Sequence, residues 1–157
     1  MTTSPATPPP DPAREHYPDT ILVVTAPGRP PFEIDLRREP DPDLASILTA
    51  LGLGDSFAVI TACNPFGHLT DDATNRARNE ALAKRLAQAV LPAIPIAGRS
   101  PDGTHIEPGF GVRTSLETAR AIAREFQQTA IFWWDGQRFW IVDAWRDEVV
   151  GLPEGRG

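Results

Sequence analysis

Ser56-Phe57-Ala58-Val59-Ile60-Thr61-Ala62-Cys63-Asn64-Pro65 is the stretch that decides the fold. Its side chains are apolar at both odd and even positions, the pattern of a central strand covered on each side, or on one side plus a cleft. Pro65 has no N–H to give to a sheet ladder, so the strand stops there. Phe66-Gly67-His68-Leu69 then makes a loop into a helix expected to be capped by Thr70, with Asp71 and Asp72 in its first turn and its end near Val90. Within that helix Asn75, Asn79, Leu82 and Leu86 share one face. The stripe that buries two leucines therefore carries two carboxamides toward the core or a cleft beside it. An amide buried without a partner costs roughly 1–3 kcal/mol, so these asparagines either bond internal backbone or face something the protein binds.

Working outward, Thr20-Ile-Leu-Val-Val-Thr25 and Phe32-Glu-Ile-Asp-Leu36 read as two antiparallel strands joined by the turn-rich Ala26–Pro31. Asp41-Pro42-Asp43 supplies an N-cap and a proline at the first helical position, ahead of Leu44, Ile47, Leu48 and Leu51 at helical spacing, and Gly52 ends that helix. Pro92–Gly98 and His105–Val112 read as strands around the turn Ser100-Pro-Asp-Gly103. Thr114-Ser-Leu-Glu117 has the form of a capping box before an amphipathic helix ending near Gln127-Gln128. Ala130–Trp134, Asp135-Gly136 and Gln137–Asp143 form a hairpin, expected as a type I′ turn that sets Phe132 opposite Phe139 and Trp133 opposite Arg138. The expected fold is a single α+β domain with a mixed or mostly antiparallel sheet and about three helices packed on it. Its expected extent is residues 20–145, between a disordered proline-rich tail at 1–19 and a loose end at 146–157.

Composition narrows the classes of function. With 15 basic and 21 acidic side chains the net charge is −6, which lacks the electrostatic footprint of a phosphate-backbone binder and disfavours nucleic acid as a partner. A local arginine group at Arg76, Arg78 and Arg85 is the one feature against that. No apolar run approaches the roughly 20 residues of a membrane span, and the first residues have no signal-peptide pattern. Cys63 is the single cysteine, so no internal disulfide can form, and the cytoplasm is the expected compartment.

The functional candidates centre on the end of the strand. Asn64 lies just past the strand where ligand groups collect in layered folds; Asn75 and Asn79 follow on the helix. Glu107, between Ile106 and Pro108, is the candidate acid or base, since partial desolvation raises a carboxyl pKa. Gln127 and Trp133 are further candidates for lining the same cleft. His105 with Glu107 has half of a zinc-deaminase pattern, but the second half needs two cysteines, and His68, His105 and Glu107 fit no familiar metal spacing. Gly109-Phe-Gly111 lacks a dinucleotide context, and there is no phosphate-loop lysine motif. No metal and no cofactor are therefore expected. The residues leave two readings open: a pocket for a small polar molecule, nucleotide-like if an indole stacks beside the amides, or a module in which the asparagines are architectural. Oligomeric state is not legible.

Phe57-Ala-Val-Ile-Thr-Ala-x-Asn64-Pro65, Asn75-x-x-Arg78-Asn79-x-x-Leu82, Gly98-x-x-Pro101-Asp-Gly103, Glu107-Pro108 and Phe126-Gln127-x-x-Ala130-Ile-Phe-Trp-Trp-Asp-Gly136 occur in order over residues 55–142. This set resembles the bacterial family known as domain of unknown function 3293. The resemblance implies that Asn64, Asn79, Glu107 and Gln127 are part of a family pattern; it implies no particular activity, substrate or cofactor.

Overall fold

The structure, a computed structural model, describes residues 7–155. Among them, nine strands and three α-helices follow in the order β1 (Ile21–Val24), β2 (Phe32–Asp35), α1 (Leu44–Ala50), β3 (Phe57–Thr61), α2 (Asp72–Gln88), β4 (Ala93–Arg99), β5 (Ile106–Glu107), β6 (Gly109–Val112), α3 (Leu116–Glu125), β7 (Ala130–Trp134), β8 (Phe139–Asp143) and β9 (Val149–Gly151). The sheet order is β2-β1-β4-β6-β3-β7-β8-β9, with β5 added beside β4. Every pairing is antiparallel. The fold is α+β.

β3 occupies the middle of this sheet because it has something to bury on both sides. Phe57 and Val59 enter one core with Leu22, Ile96, Trp134 and Phe139, closed by Leu44 and Leu48 of α1. Ala58 and Ile60 enter the other core with Leu82 and Leu86 of α2 and Ala119, Ile122 and Ala123 of α3. Each fully buried leucine contributes about 1.5–3 kcal/mol of transfer free energy. Gly109, paired with Thr61, lets the strands close up: a Cβ there would sit 2.5 Å from the Ile60 carbonyl oxygen.

Several boundaries differ from expectation by one or two residues, each for a local reason. α1 begins at Leu44 after Asp43, and Asp41 serves instead through its carbonyl, which accepts from the Leu44 N–H. α2 is capped by Asp71, whose carboxylate accepts from the Thr74 N–H, because Thr70 is engaged elsewhere. Ser115 caps α3 through the Thr118 N–H. In the β7–β8 hairpin Trp134 pairs with Phe139, Trp133 with Trp140 and Phe132 with Ile141, two residues away from the I′ register. The Asp135 carboxylate accepts from the Gln137 and Arg138 N–H groups and the Trp140 indole N–H, so Asp135 sits before the turn rather than in it. Arg138 consequently lies over Trp140, 6.0 Å from its ring centroid, rather than on Trp133.

Of the N-terminal stretch expected as a tail, residues 1–6 lie outside the described part. Arg14–Asp19 form a 3₁₀ helix, and the Asp11 carboxylate accepts from the Tyr17 and Thr129 hydroxyls at 2.5 Å each. At the other end β9 pairs with β8 and Leu152 is buried. Packed structure thus begins before Thr20 and continues past Trp145. No helix among the described residues is long and apolar enough to cross a membrane.

All three helices end in a left-handed residue followed by a backward 6→1 hydrogen bond: Gly52, Val90 and Gln127, with Leu53, Leu91 and Gln128 donating to Leu48, Leu86 and Ala123. Valine is the misfit, since a branched side chain in this region is strained by roughly 1–2 kcal/mol. Val90 is 85% exposed, so removing it forfeits little burial. Glycine's larger unfolded-state entropy takes back about 0.5–1 kcal/mol. Val90→Gly is expected to raise the melting temperature by up to a few degrees in thermal unfolding followed by circular dichroism; a lower value would show that the valine is not strained.

Candidate functional site

The segment from β3 to α2 turns through Asn64 and Phe66, both left-handed at φ 49° and 54°. What holds this turn is a reciprocal pair of amides. Asn75 Oδ1 accepts from the Asn64 N–H (2.9 Å) and the Thr70 hydroxyl (2.6 Å). Asn64 Oδ1 accepts from the Thr70 N–H (3.0 Å) and Asn75 Nδ2 (2.9 Å). Both carbonyl oxygens therefore have two donors each, their full complement. Asn64 Nδ2 reaches out of the ring to donate to Glu107 Oε1 at 2.7 Å. Asn64 is 5% exposed.

Around this ring the backbone is pinned from the α3 side. Arg78, one turn along α2 from Asn75, donates to the carbonyls of Ala62 (2.6 Å) and Phe126 (2.5 Å). Gln128, 6% exposed, gives its side-chain amide to the Cys63 carbonyl. The Phe66 N–H donates to the Gln127 carbonyl at 2.7 Å. Gln127 is exposed and left-handed at φ 58°, and its side chain accepts only from Arg78, at 3.3 Å. It ends the helix and holds the loop. Arg85 pairs with Glu125, so two of the three arginines counted as a basic group are joined to α3 and the segment following it.

A groove of about 290 Å³ opens beside the ring, lined by Cys63, Asp72, Asn75, Arg76, Asn79, Ile106 and Pro108. Asp72, Asn75, Arg76 and Asn79 fall at i, i+3, i+4 and i+7, one polar face over the first two turns of α2. The carboxamide oxygen of Asn79 is buried and, among the described residues, has no hydrogen-bond partner. Cys63 Sγ lies 3.6 Å from the Pro108 carbonyl, and burial pushes its thiol pKa up, which keeps it protonated and unreactive at neutral pH.

Glu107 stands between two groove-lining residues without lining the groove itself. Its carboxylate meets Asn64, and His105 lies 3.9 Å away. Burial pushes its pKa up, against the opposing Asn64 hydrogen bond and His105, and the nearby Asp11 carboxylate adds to the rise. Asp11 itself is packed against Gly67, left-handed at φ 77°, where an added Cβ would run into the Asp11 carboxylate and displace it. Of the sequence candidates, then, Asn64, Asn75 and Glu107 form one bonded unit, and Asn79 joins Asn75 on the groove wall. Gln127 touches the loop from outside, and Trp133 packs with Ala58, Ile131 and Val142 in the α2–α3 core rather than at the groove. Among the described residues no three His, Cys, Asp or Glu side chains converge to hold a metal ion.

Thr70, Asp72, Arg76, Arg78 and Gln128 stood in the sequence as cap, first-turn, arginine-group or helix-end residues and were not among the site candidates. For Asp72 and Arg76 the signal existed: extending the Asn75–Asn79 stripe one turn toward the N-terminus reaches them. Arg78 stood in the Asn75-x-x-Arg78-Asn79 motif, but its role was not legible because it depends on carbonyls 16 and 48 residues away.

The profile of a family described as "Protein of unknown function (DUF3293)" matches residues 60–131. This segment belongs to DUF3293. It lies inside the span over which the spaced motifs had pointed to that family, and it contains the amide ring, the groove and Glu107. No curated protein and no solved structure matches the chain. The DUF3293 segment covers a little under half of the 157 residues; Asp11, whose charge adds to the rise at Glu107, and Tyr17 lie outside it.

Two outcomes follow from this geometry. Asn75→Ala strips partners from the Asn64 N–H, Asn64 Oδ1 and the Thr70 hydroxyl, and is expected to destabilise by about 2–4 kcal/mol in urea unfolding; a loss under 1 kcal/mol would remove the ring from its structural role. Glu107→Gln keeps an oxygen for Asn64 but no charge. The raised folded pKa means that stability linked to Glu107 is complete below the unfolded value and is lost as pH rises through the folded one. The variant should thus melt above wild type at neutral pH, with the gap closing below about pH 4.

Proposed function

We propose that the groove between α2 and the β5–β6 segment binds a small polar molecule, and that Asn79 Oδ1 accepts a hydrogen bond from it. The observation that supports this is the buried, unpartnered side-chain oxygen of Asn79, a residue that lines the groove. Such an atom destabilises the free protein by roughly 1–3 kcal/mol, and a ligand N–H or O–H would recover that loss. Asn64 and Asn75 have the other role weighed from the sequence: their bonds to each other, to Thr70 and to Glu107 make them the frame of the groove. The two readings of the asparagines thus divide between residues.

The groove is at the small end of ligand sites, which run to about 300–1,000 Å³, and Trp133 is packed elsewhere. A stacked nucleotide base therefore loses its support, and a compact polar metabolite fits better. Glu107, behind the groove wall and with a raised pKa, does not line the groove, and its carboxylate acts on the site through Asn64.

Asn79→Leu, of nearly equal volume, tests this directly. It is expected to leave the melting temperature of the free protein unchanged or higher, and to abolish the thermal shift that a hit from a metabolite panel gives with wild type. An Asn79→Leu protein that melts well below wild type would mean that this amide holds the fold and not a ligand.

A further inference from the structure

We infer that the groove's ligand is zwitterionic with an apolar body, the chemistry of a free apolar amino acid; this rests on the groove being a binding site. Three observations converge. The first is charge. Asp72 and Arg76 stand four residues apart on the groove face of α2, a spacing at which opposite charges ordinarily pair. Neither side chain makes an ion pair or hydrogen bond among the described residues. An anionic and a cationic group are therefore both available on one wall, about 6 Å apart along the helix axis.

The second observation is the arrangement of neutral polar atoms between and beyond those charges. Asn75 Nδ2 carries two hydrogens and gives one to Asn64; Asn79 Oδ1 has an unused acceptor. The groove face of α2 thus carries a donor hydrogen not used within the amide ring, on the residue before Arg76, and an acceptor without a partner one turn on. An ammonium meets the Asp72 carboxylate, while a carboxylate meets Arg76 and the Asn75 N–H one turn along.

The third is the opposite wall. Ile106 and Pro108 face the polar helix with no charge of their own, and Ile106 is left 60% exposed. An isoleucine that open beside a groove is apolar surface for a ligand's body to cover. A wholly polar ion would leave that wall wet, and a wholly apolar molecule would strand the charges opposite. The small volume limits the body to one side chain.

The test uses the full chain and L-leucine as the probe, with N-acetyl-L-leucine and L-leucinamide as forms lacking one charge each, in amide chemical-shift titrations. Leucine is expected to shift amides of α2 and Ile106–Pro108, and each blocked form to bind roughly three- to tenfold more weakly, the range for partly exposed charge contacts. Arg76→Gln should erase the preference over leucinamide, and Asp72→Asn the preference over N-acetyl-leucine. Equal binding of all three forms would overturn the zwitterion and leave the groove reading standing. So would a non-zwitterionic panel hit whose binding is lost in Asn79→Leu. Leucine shifts unaffected by both charge variants would place the binding elsewhere and overturn the inference as well.

Discussion

Two asparagine side chains facing each other across the start of α2 are the constraint on which this structure rests. Asn64 adopts a left-handed backbone just past the end of β3, a strand buried on both faces, and the amide of Asn75 makes that conformation worth holding. If the turn were looser, α2 would not bring Leu82 and Leu86 onto Ala58 and Ile60 while setting its first two turns beside β5. One side of the helix therefore serves the core at its C-terminal half and the groove at its N-terminal half. The division follows from the sequence of that face: Asp72, Asn75, Arg76 and Asn79 first, leucines after.

Much of this was legible before any coordinates, where local chemistry and burial pointed the same way. β3 announced itself by being apolar on both faces, and it is the strand with a core on each side. The α+β class followed from alternating periods, and the spaced motifs gave the family. Caps were harder. Thr70 is a good N-cap by type, yet Asn64 and Asn75 claim its N–H and hydroxyl, and Asp71 takes the vacancy. Asp135-Gly136 has the composition of a two-residue turn, but the carboxylate found three donors further along and moved the register with it.

The candidate residues show the same boundary between local and distant information. Helical spacing put Asn75 and Asn79 on one side of α2, where both line the groove, and the strand end drew attention to Asn64, which bonds to Asn75. That Asn64 would donate to Glu107, 43 residues on, depends on the antiparallel return of β5 and β6, for which no local pattern exists. Trp133 looked like a pocket wall because large aromatics at a hairpin serve either purpose; its alternation with Ile131 placed it on the helix-covered side.

The Asp11 contact reaches across the chain: it accepts from Thr129, 118 residues later, while Arg14 pairs with Asp143 and Tyr17 rests on Phe132. On a ribosome Asp11, Arg14 and Tyr17 emerge before the segments that receive them, since β7 and β8 must be in the sheet before their partners are in place. The stretch around Asp11 thus cannot dock until Thr129, Phe132 and Asp143 have been made and folded, so its packing is tied to the completion of β7 and β8.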